Sequence, residues 1–223
     1  MSKKITISLV ATALLSIVLA VLTVTGRFAA LDHSLEYALY ALRTPGLTTL
    51  LKIITTIGEW YVYAVVTLLL LALPRTRWKY GLPAGVALGI SAVLNTLLKL
   101  CFAIPRPTGH RLITETGFGF PSGHAMIGTA FVGICVLLFV RYADKRAAKL
   151  IASVAAVLFM LAVGLSRVYL GVHNPTDIIA GYAMGLFCAV GVRGIVDLLH
   201  KRNLLSSTDS RPNLTLLRSR KAS

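Results

Sequence analysis

The chain has 223 residues and is poor in charge, in acid and in cysteine. Asp, Glu, Lys and Arg make up 14% of it, against about 25% in ordinary soluble domains. Disordered chains need much charge and little apolar content to stay solvated, so that class is excluded. Acidic residues number only 8, and none of them cluster in the manner of a magnesium or zinc site. No metal and no cofactor are expected. The three cysteines, Cys101, Cys135 and Cys188, lie in or at apolar segments. They show neither a disulfide framework nor a metal-ligand spacing, which leaves them as packing residues.

Apolar residues are abundant. They make up 56% of the chain, and the mean hydropathy is +0.77. A soluble core of this size cannot take in that much apolar surface, so the chain reads as a polytopic membrane protein. Lys plus Arg is 23 against 8 acids, a formal net charge of +15. In a soluble chain that excess would suggest nucleic acid. In a membrane chain it reports topology, and no nucleic-acid partner is expected.

Six apolar spans follow one another. Ile5–Thr25 is uncharged, longer than the apolar region of a signal peptide, and followed by no small-x-small cleavage site, so it reads as a first transmembrane helix. Ile53–Leu73, with Glu59 near one end, is the second, and Leu82–Leu98, leading into Lys99, is the third. Ala125–Val140, Leu150–Leu165 and Ile178–Val192 complete the set. These last three fall short of the ~20 residues of a full span, and flanking Gly, Ser, Tyr and snorkelling Arg extend them. Between the first two spans, Phe28, Leu31, Leu35, Leu39 and Leu42 recur at helical spacing with Asp32, His33 and Glu36 between them. That pattern is an amphipathic helix lying in the membrane interface, ended by Pro45-Gly46.

The expected fold is all-α: a six-transmembrane-helix bundle over residues 1–200 with one interfacial helix, then a basic, disordered cytoplasmic tail over residues 201–223. With the N-terminus cytoplasmic, the inner segments hold 15 of the 23 basic residues, including Arg75, Arg77, Lys79, Arg141, Lys145, Arg146 and Lys149. Both termini are then cytoplasmic.

Three polar clusters interrupt this pattern. They are Lys99 with Arg106-Pro107, then Pro121-Ser122-Gly123-His124, then Ser166-Arg167 with His173 and Asp177. In the six-span topology all three fall at outer helix ends, at one membrane depth. Ionisable residues at such positions are candidates for function. Lys99, Arg106 and Arg167 offer three cations without a paired carboxylate, which suits a compact polyanion such as phosphate. Ser122 and Gly123 precede an apolar helical run. Free N–H groups at a helix start, with a glycine that lets the backbone approach, complete a phosphate cradle. Asn174-Pro175 starts a helix, so His173 sits just before it and Asp177 lies in its first turn. The carboxylate can then fix the imidazole tautomer and leave the other nitrogen free to attack phosphorus. His124, beside the cradle, can protonate the leaving oxygen and then activate water. Each feature alone has an ordinary structural explanation. Their conjunction at one membrane face points to chemistry.

The clusters match K-x6-RP, PSGH and SR-x5-H-x3-D at every fixed position. The chain thereby resembles the type 2 phosphatidic acid phosphatase family, also called lipid phosphate phosphatases, in its bacterial six-helix membrane form. The motif region runs from Lys99 to Asp177, and the helix layout extends the likeness to about Leu199. The resemblance implies a metal-independent phosphatase or pyrophosphatase acting through a phosphohistidine. His173 would be the nucleophile, Asp177 its orienter and His124 the general acid. Lys99, Arg106, Ser122, Gly123 and Arg167 would bind phosphate. Pro107, Pro121 and Ser166 would be supporting residues.

The expected activity is hydrolysis of a membrane lipid phosphate or pyrophosphate at the outer face of a bacterial cytoplasmic membrane. Undecaprenyl pyrophosphate is the first choice of substrate, because it is released on that face. Phosphatidylglycerophosphate or phosphatidic acid is the alternative. A lipid-to-lipid phosphotransferase is a rival within the same chemistry, and an anion transporter gated by the three cations is a rival without chemistry. A haloperoxidase ranks last, since it needs bound vanadate. Phe102, Phe118 and Phe120 could guide a lipid chain or anchor the interface. Glu59, Asn95, His110, Arg111 and Glu115 carry no assigned role, and the oligomeric state is not legible.

Overall fold

A computed structural model of the chain describes residues 3–201. The expected disordered tail lies outside the described residues, apart from Lys201, which is helical. Among the described residues every regular element is a helix. These are α1 (Lys3–Val24), α2 (Ala29–Ala41), α3 (Pro45–Ile57), α4 (Trp60–Ala72), α5 (Leu82–Phe102), α6 (Gly123–Tyr142), α7 (Arg146–Tyr169) and α8 (Pro175–Lys201). A π-helical turn, Arg77–Gly81, leads into α5. Five helices are long and apolar enough to cross a bilayer, and the bent pair α3–α4 makes a sixth if it is counted as one span.

Helices α6 and α8 form the centre. Helix α1 lies against α8, α5 and α7 against α6, and α3 against α7. The central contact is close because α8 presents glycine to α6. A Cβ on Gly185 would stand 2.4 Å from the Met126 carbonyl oxygen, and one on Gly181 would stand 2.8 Å from the Ala125 Cβ. Small residues let two backbones meet where lipid offers no hydrophobic drive to association. Large apolar side chains instead point outward, among them Leu14, Leu68, Leu100 and Leu150.

The structure corrects two expectations. The second span is not one helix over Ile53–Leu73. It breaks at Gly58-Glu59 and bends by 45°. Glu59 adopts an extended conformation as the residue before α4, and a Cβ on Gly58 would stand 2.8 Å from a Val163 methyl of α7. Pro45 does not end the amphipathic helix, which stops at Ala41. The proline opens α3, where its missing N–H costs nothing, and the Thr44 hydroxyl accepts from the Leu47 N–H. The last span extends beyond its uncharged core to Lys201, as expected, and there Arg193 and Asp197 pair four residues apart while Asp197 also pairs with Arg141 of α6.

The interfacial helix has the expected two faces, with its acids turned inward. Asp32 and Glu36 are buried, whereas Leu31 and Leu35 are exposed. The Asp32 carboxylate accepts from the Thr176 N–H at 3.0 Å and from its hydroxyl at 2.7 Å, which caps the start of α8. Burial pushes the Asp32 carboxyl above its ordinary value, against the pull of the two Thr176 hydrogen bonds. Arg43, after α2, donates to the Tyr169 carbonyl at the end of α7 and to the His110 carbonyl of the long loop.

Two glycine substitutions should separate packing from propensity. Gly89 of α5 meets nothing within 4 Å, so Gly89→Ala should leave stability unchanged or raise it by about 0.5–1 kcal/mol. Gly185→Ala forces a methyl against the α6 backbone and should cost about 1–3 kcal/mol. Melting temperatures in one detergent should rank Gly89→Ala at or above the parent and Gly185→Ala below it.

Candidate active site

The three sequence clusters converge at one end of the bundle. Lys99 lies in the last turn of α5, which ends at Ala103 in a left-handed conformation (φ 49°). Its ammonium donates to the Phe118 carbonyl at 2.5 Å. The following loop, residues 103–122, folds back on itself through the Gly119 N–H to the Ile104 carbonyl at 2.7 Å. That fold carries Arg106 inward. Arg167 is the last basic residue of α7 and only 1% exposed, and His173 and Asp177 are equally buried.

His173 is held from both sides. Its Nδ1 lies 3.3 Å from Asp177 Oδ2, and its Nε2 lies 2.9 Å from a terminal nitrogen of Arg106. A guanidinium can only donate. Nε2 is therefore the acceptor, and the ring proton sits on Nδ1 facing the carboxylate. The same Asp177 oxygen accepts the Asn174 N–H at 2.9 Å, which locks the carboxylate across the start of α8. Burial, then the charges of Arg106, Arg167 and Lys99, hold the His173 imidazole well below its ordinary pKa. It is neutral at physiological pH, as a nucleophile must be.

Arg106 and Arg167 meet on Glu115. One carboxylate oxygen pairs with Arg167, and the other lies 3.6 Å from Arg106. Arg167 also donates to the Thr55 hydroxyl at 2.8 Å. Burial opposes the Glu115 charge, but the two guanidiniums outweigh it and hold the carboxyl below its usual range. Two cations in a low-dielectric pocket need an anion, and in this structure the protein supplies its own.

Ser122 and Gly123 form the floor. The Ser122 N–H donates to the Asp177 carbonyl at 3.1 Å, joining the start of α6 to the start of α8. Gly123 has no room for a side chain beyond ordinary contact, since a Cβ would stand 3.3 Å from the Asn95 amide oxygen. Asn95 in turn donates to the Pro121 carbonyl at 3.3 Å. The Ser122 hydroxyl, His124 Nε2, the Arg167 Nε and Asp177 Oδ1 are buried without a hydrogen-bond partner. Buried polar atoms of native proteins are nearly always paired, so four orphans at one end of the bundle are the pattern of a site with room for further hydrogen bonds.

All eight sequence-predicted residues thus lie at the same end of the bundle, and His173, Asp177 and Arg106 form one directly bonded group. Lys99 is engaged with a loop carbonyl, and His124 turns its Nε2 to Glu59 Oε1, 3.2 Å away. Phe120 is fully buried and meets Phe102 edge-on at 5.2 Å, so it belongs to the core. Sequence reasoning gave Glu115, Glu59, Asn95 and Thr55 no place in the site. The signal for Glu115 was scarcity: it is the one acid between the first two motifs. Glu59 was visible as an acid in an apolar span. Nothing in the sequence marks Thr55.

The PAP2 superfamily model matches residues 80–200. Phosphatidylglycerophosphatase B of Bacillus subtilis is 31% identical over 186 residues, which cover 80% of this chain and 89% of that protein. Undecaprenyl-diphosphatase of Sulfolobus acidocaldarius is 34% identical over 145 residues, 62% of this chain and 66% of that protein. The crystal structure of a transmembrane PAP2 type phosphatidylglycerolphosphate phosphatase from Bacillus subtilis superposes with a TM-score of 0.77 at 26% identity, covering 86% of this chain and 97% of that one.

Two outcomes are expected. Histidine 15N chemical shifts should show His173 uncharged at pH 6.5, where an ordinary imidazole is about half protonated. Protonation should come only on further acidification. Glu115→Gln should lower the melting temperature of the ligand-free protein by several degrees, because Arg106 and Arg167 lose their counter-charge. Orthovanadate should raise that of the variant more than that of the parent.

Proposed function

Because the chain is a lipid phosphatase of the PAP2 superfamily, we propose that it works without a metal, through a phosphohistidine on His173. The observation that carries this reading is the buried, neutral imidazole with its proton on Nδ1 facing Asp177 and its Nε2 lone pair facing the arginine cluster. In the first step, Nε2 bonds to phosphorus as the bond to the lipid oxygen breaks, and His124 gives that oxygen a proton. In the second, water attacks the phosphohistidine, passes a proton to His124, and frees inorganic phosphate. Lys99, Arg106, Arg167 and the N–H groups at Ser122 and Gly123 stabilise the charge that builds on the transferred phosphoryl oxygens. Glu115 must leave the arginines when phosphate arrives.

The substrate we favour is undecaprenyl pyrophosphate, with residues 1–200 as one catalytic unit in a bacterial cytoplasmic membrane. The site would face outward and both termini inward. The distribution of basic residues supports that orientation: Lys79 lies over the Tyr142 ring at 4.2 Å and Arg141 pairs with Asp197, all at the end of the bundle away from His173. Phosphatidylglycerophosphate is the second reading. The Bacillus subtilis phosphatidylglycerophosphatase B match, which covers four fifths of this chain, favours it.

Purified protein in detergent should release phosphate from a lipid substrate in the presence of EDTA. His173→Ala should lose that release by about 10³-fold or more. The ratio of rates on undecaprenyl pyrophosphate and phosphatidylglycerophosphate assigns the substrate. Full release by His173→Ala would sink the mechanism.

A further inference from the structure

The break in the second span places one acid where an unbroken helix would not. Glu59 stands between α3 and α4, in extended conformation, with its carboxylate 3.2 Å from the Nε2 of His124, an ion-pair distance at which the buried Nε2 makes no hydrogen bond in this orientation. The contact is sheltered, since the His124 side chain is 11% exposed and that of Glu59 27%. Both residues border a cavity of about 260 Å³ that also touches Trp60, Asn95, Glu115 and Gly123. Two close approaches hold the acid there. Gly58 is pressed against Val163 of α7, and Gly123, next to His124, is pressed against Asn95 of α5.

We infer that Glu59 is the positioning residue for His124. It holds Nε2 and stabilises the charged imidazolium, which leaves Nδ1 to deliver the proton to the leaving lipid oxygen and to take one from water. The inference rests on the proposed role of His124 as acid and base. Glu59 then stands to His124 as Asp177 stands to His173, and the site holds two carboxylate–imidazole pairs, one for the nucleophile and one for the acid. The pairs differ in access to solvent. Asp177 and its histidine are each 1% exposed and serve a neutral ring, whereas the Glu59 pair borders the cavity and serves a ring that must gain and lose a proton. The other charged or titratable groups that act on this pair are Tyr63 of α4, Glu115 of the long loop, Arg167 of α7 and His173 before α8.

The test compares two leaving groups. Phosphatidylglycerophosphate releases an alkoxide that needs a proton, and 4-nitrophenyl phosphate releases a stabilised 4-nitrophenolate that does not. Glu59→Gln should lower kcat on the lipid by about 10²-fold while leaving KM and the aryl phosphate rate within about threefold of the parent. Glu59→Asp, which keeps the charge on a shorter arm, should recover part of the kcat loss. Equal loss on both substrates, no loss on either, or a loss carried by KM would overturn the inference. If Glu59→Gln does not fold, Glu59→Asp carries the same comparison. His173→Ala run alongside separates the two levels: if it retains release, the phosphohistidine reading itself falls. If it is dead while Glu59→Gln shows no leaving-group dependence, only the role of Glu59 falls.

Discussion

The hydrogen bond from the Ser122 N–H to the Asp177 carbonyl ties the first residues of two transmembrane helices together. Ser122 and Gly123 stand at the start of one helix and His173 and Asp177 at the start of the other. In the proposed mechanism a phosphoryl group touches both, so the two helix starts must keep a fixed separation. The bond survives because α6 and α8 are nearly in backbone contact below it, at Gly181 and Gly185. A wider crossing would separate the two helix starts and strand the Ser122 N–H in a buried place. The glycines that fix the bundle are therefore also what fixes the distance between cradle and imidazole.

A second constraint is the scarcity of negative charge. Three cations are drawn into a region of low dielectric, and the chain has 8 acids in all. Almost every acid at the site end is committed to one partner. Asp177 takes His173, Glu115 takes the two arginines, Glu59 takes His124, and Asp32 takes the start of α8. Unpaired charge in such a place is costly, and a paired one is both tolerated and held in position. The paucity of acid that excluded other chemistries in the sequence is thus accompanied by a strict allocation of the few acids present.

Much of this was legible in advance. The apolar spans and the interfacial helix were visible, because hydropathy is a local property of the chain, and so was the gathering of the eight candidate residues at one end of the bundle. The break at Gly58-Glu59 was not, since an apolar run looks continuous whether or not a neighbouring helix presses on one glycine. The inward turn of Asp32 was hidden for a related reason: the amphipathic pattern shows two faces and does not say which meets protein. Glu115 on the arginines required the fold of a long loop, which no periodicity encodes.

The allocation of acids also bears on how a substrate arrives. Asp32, Glu36, Glu59, Glu115 and Asp177 are all buried or engaged, while Arg27 and Arg111 at the same end are exposed. The exposed charge at this end is therefore weighted toward cations, with only the 27% exposed Glu59 and 24% exposed Glu115 side chains to offset it. A multiply charged anionic headgroup near this end meets a net attraction. That attraction weakens with ionic strength, since salt shortens the range over which charge is felt.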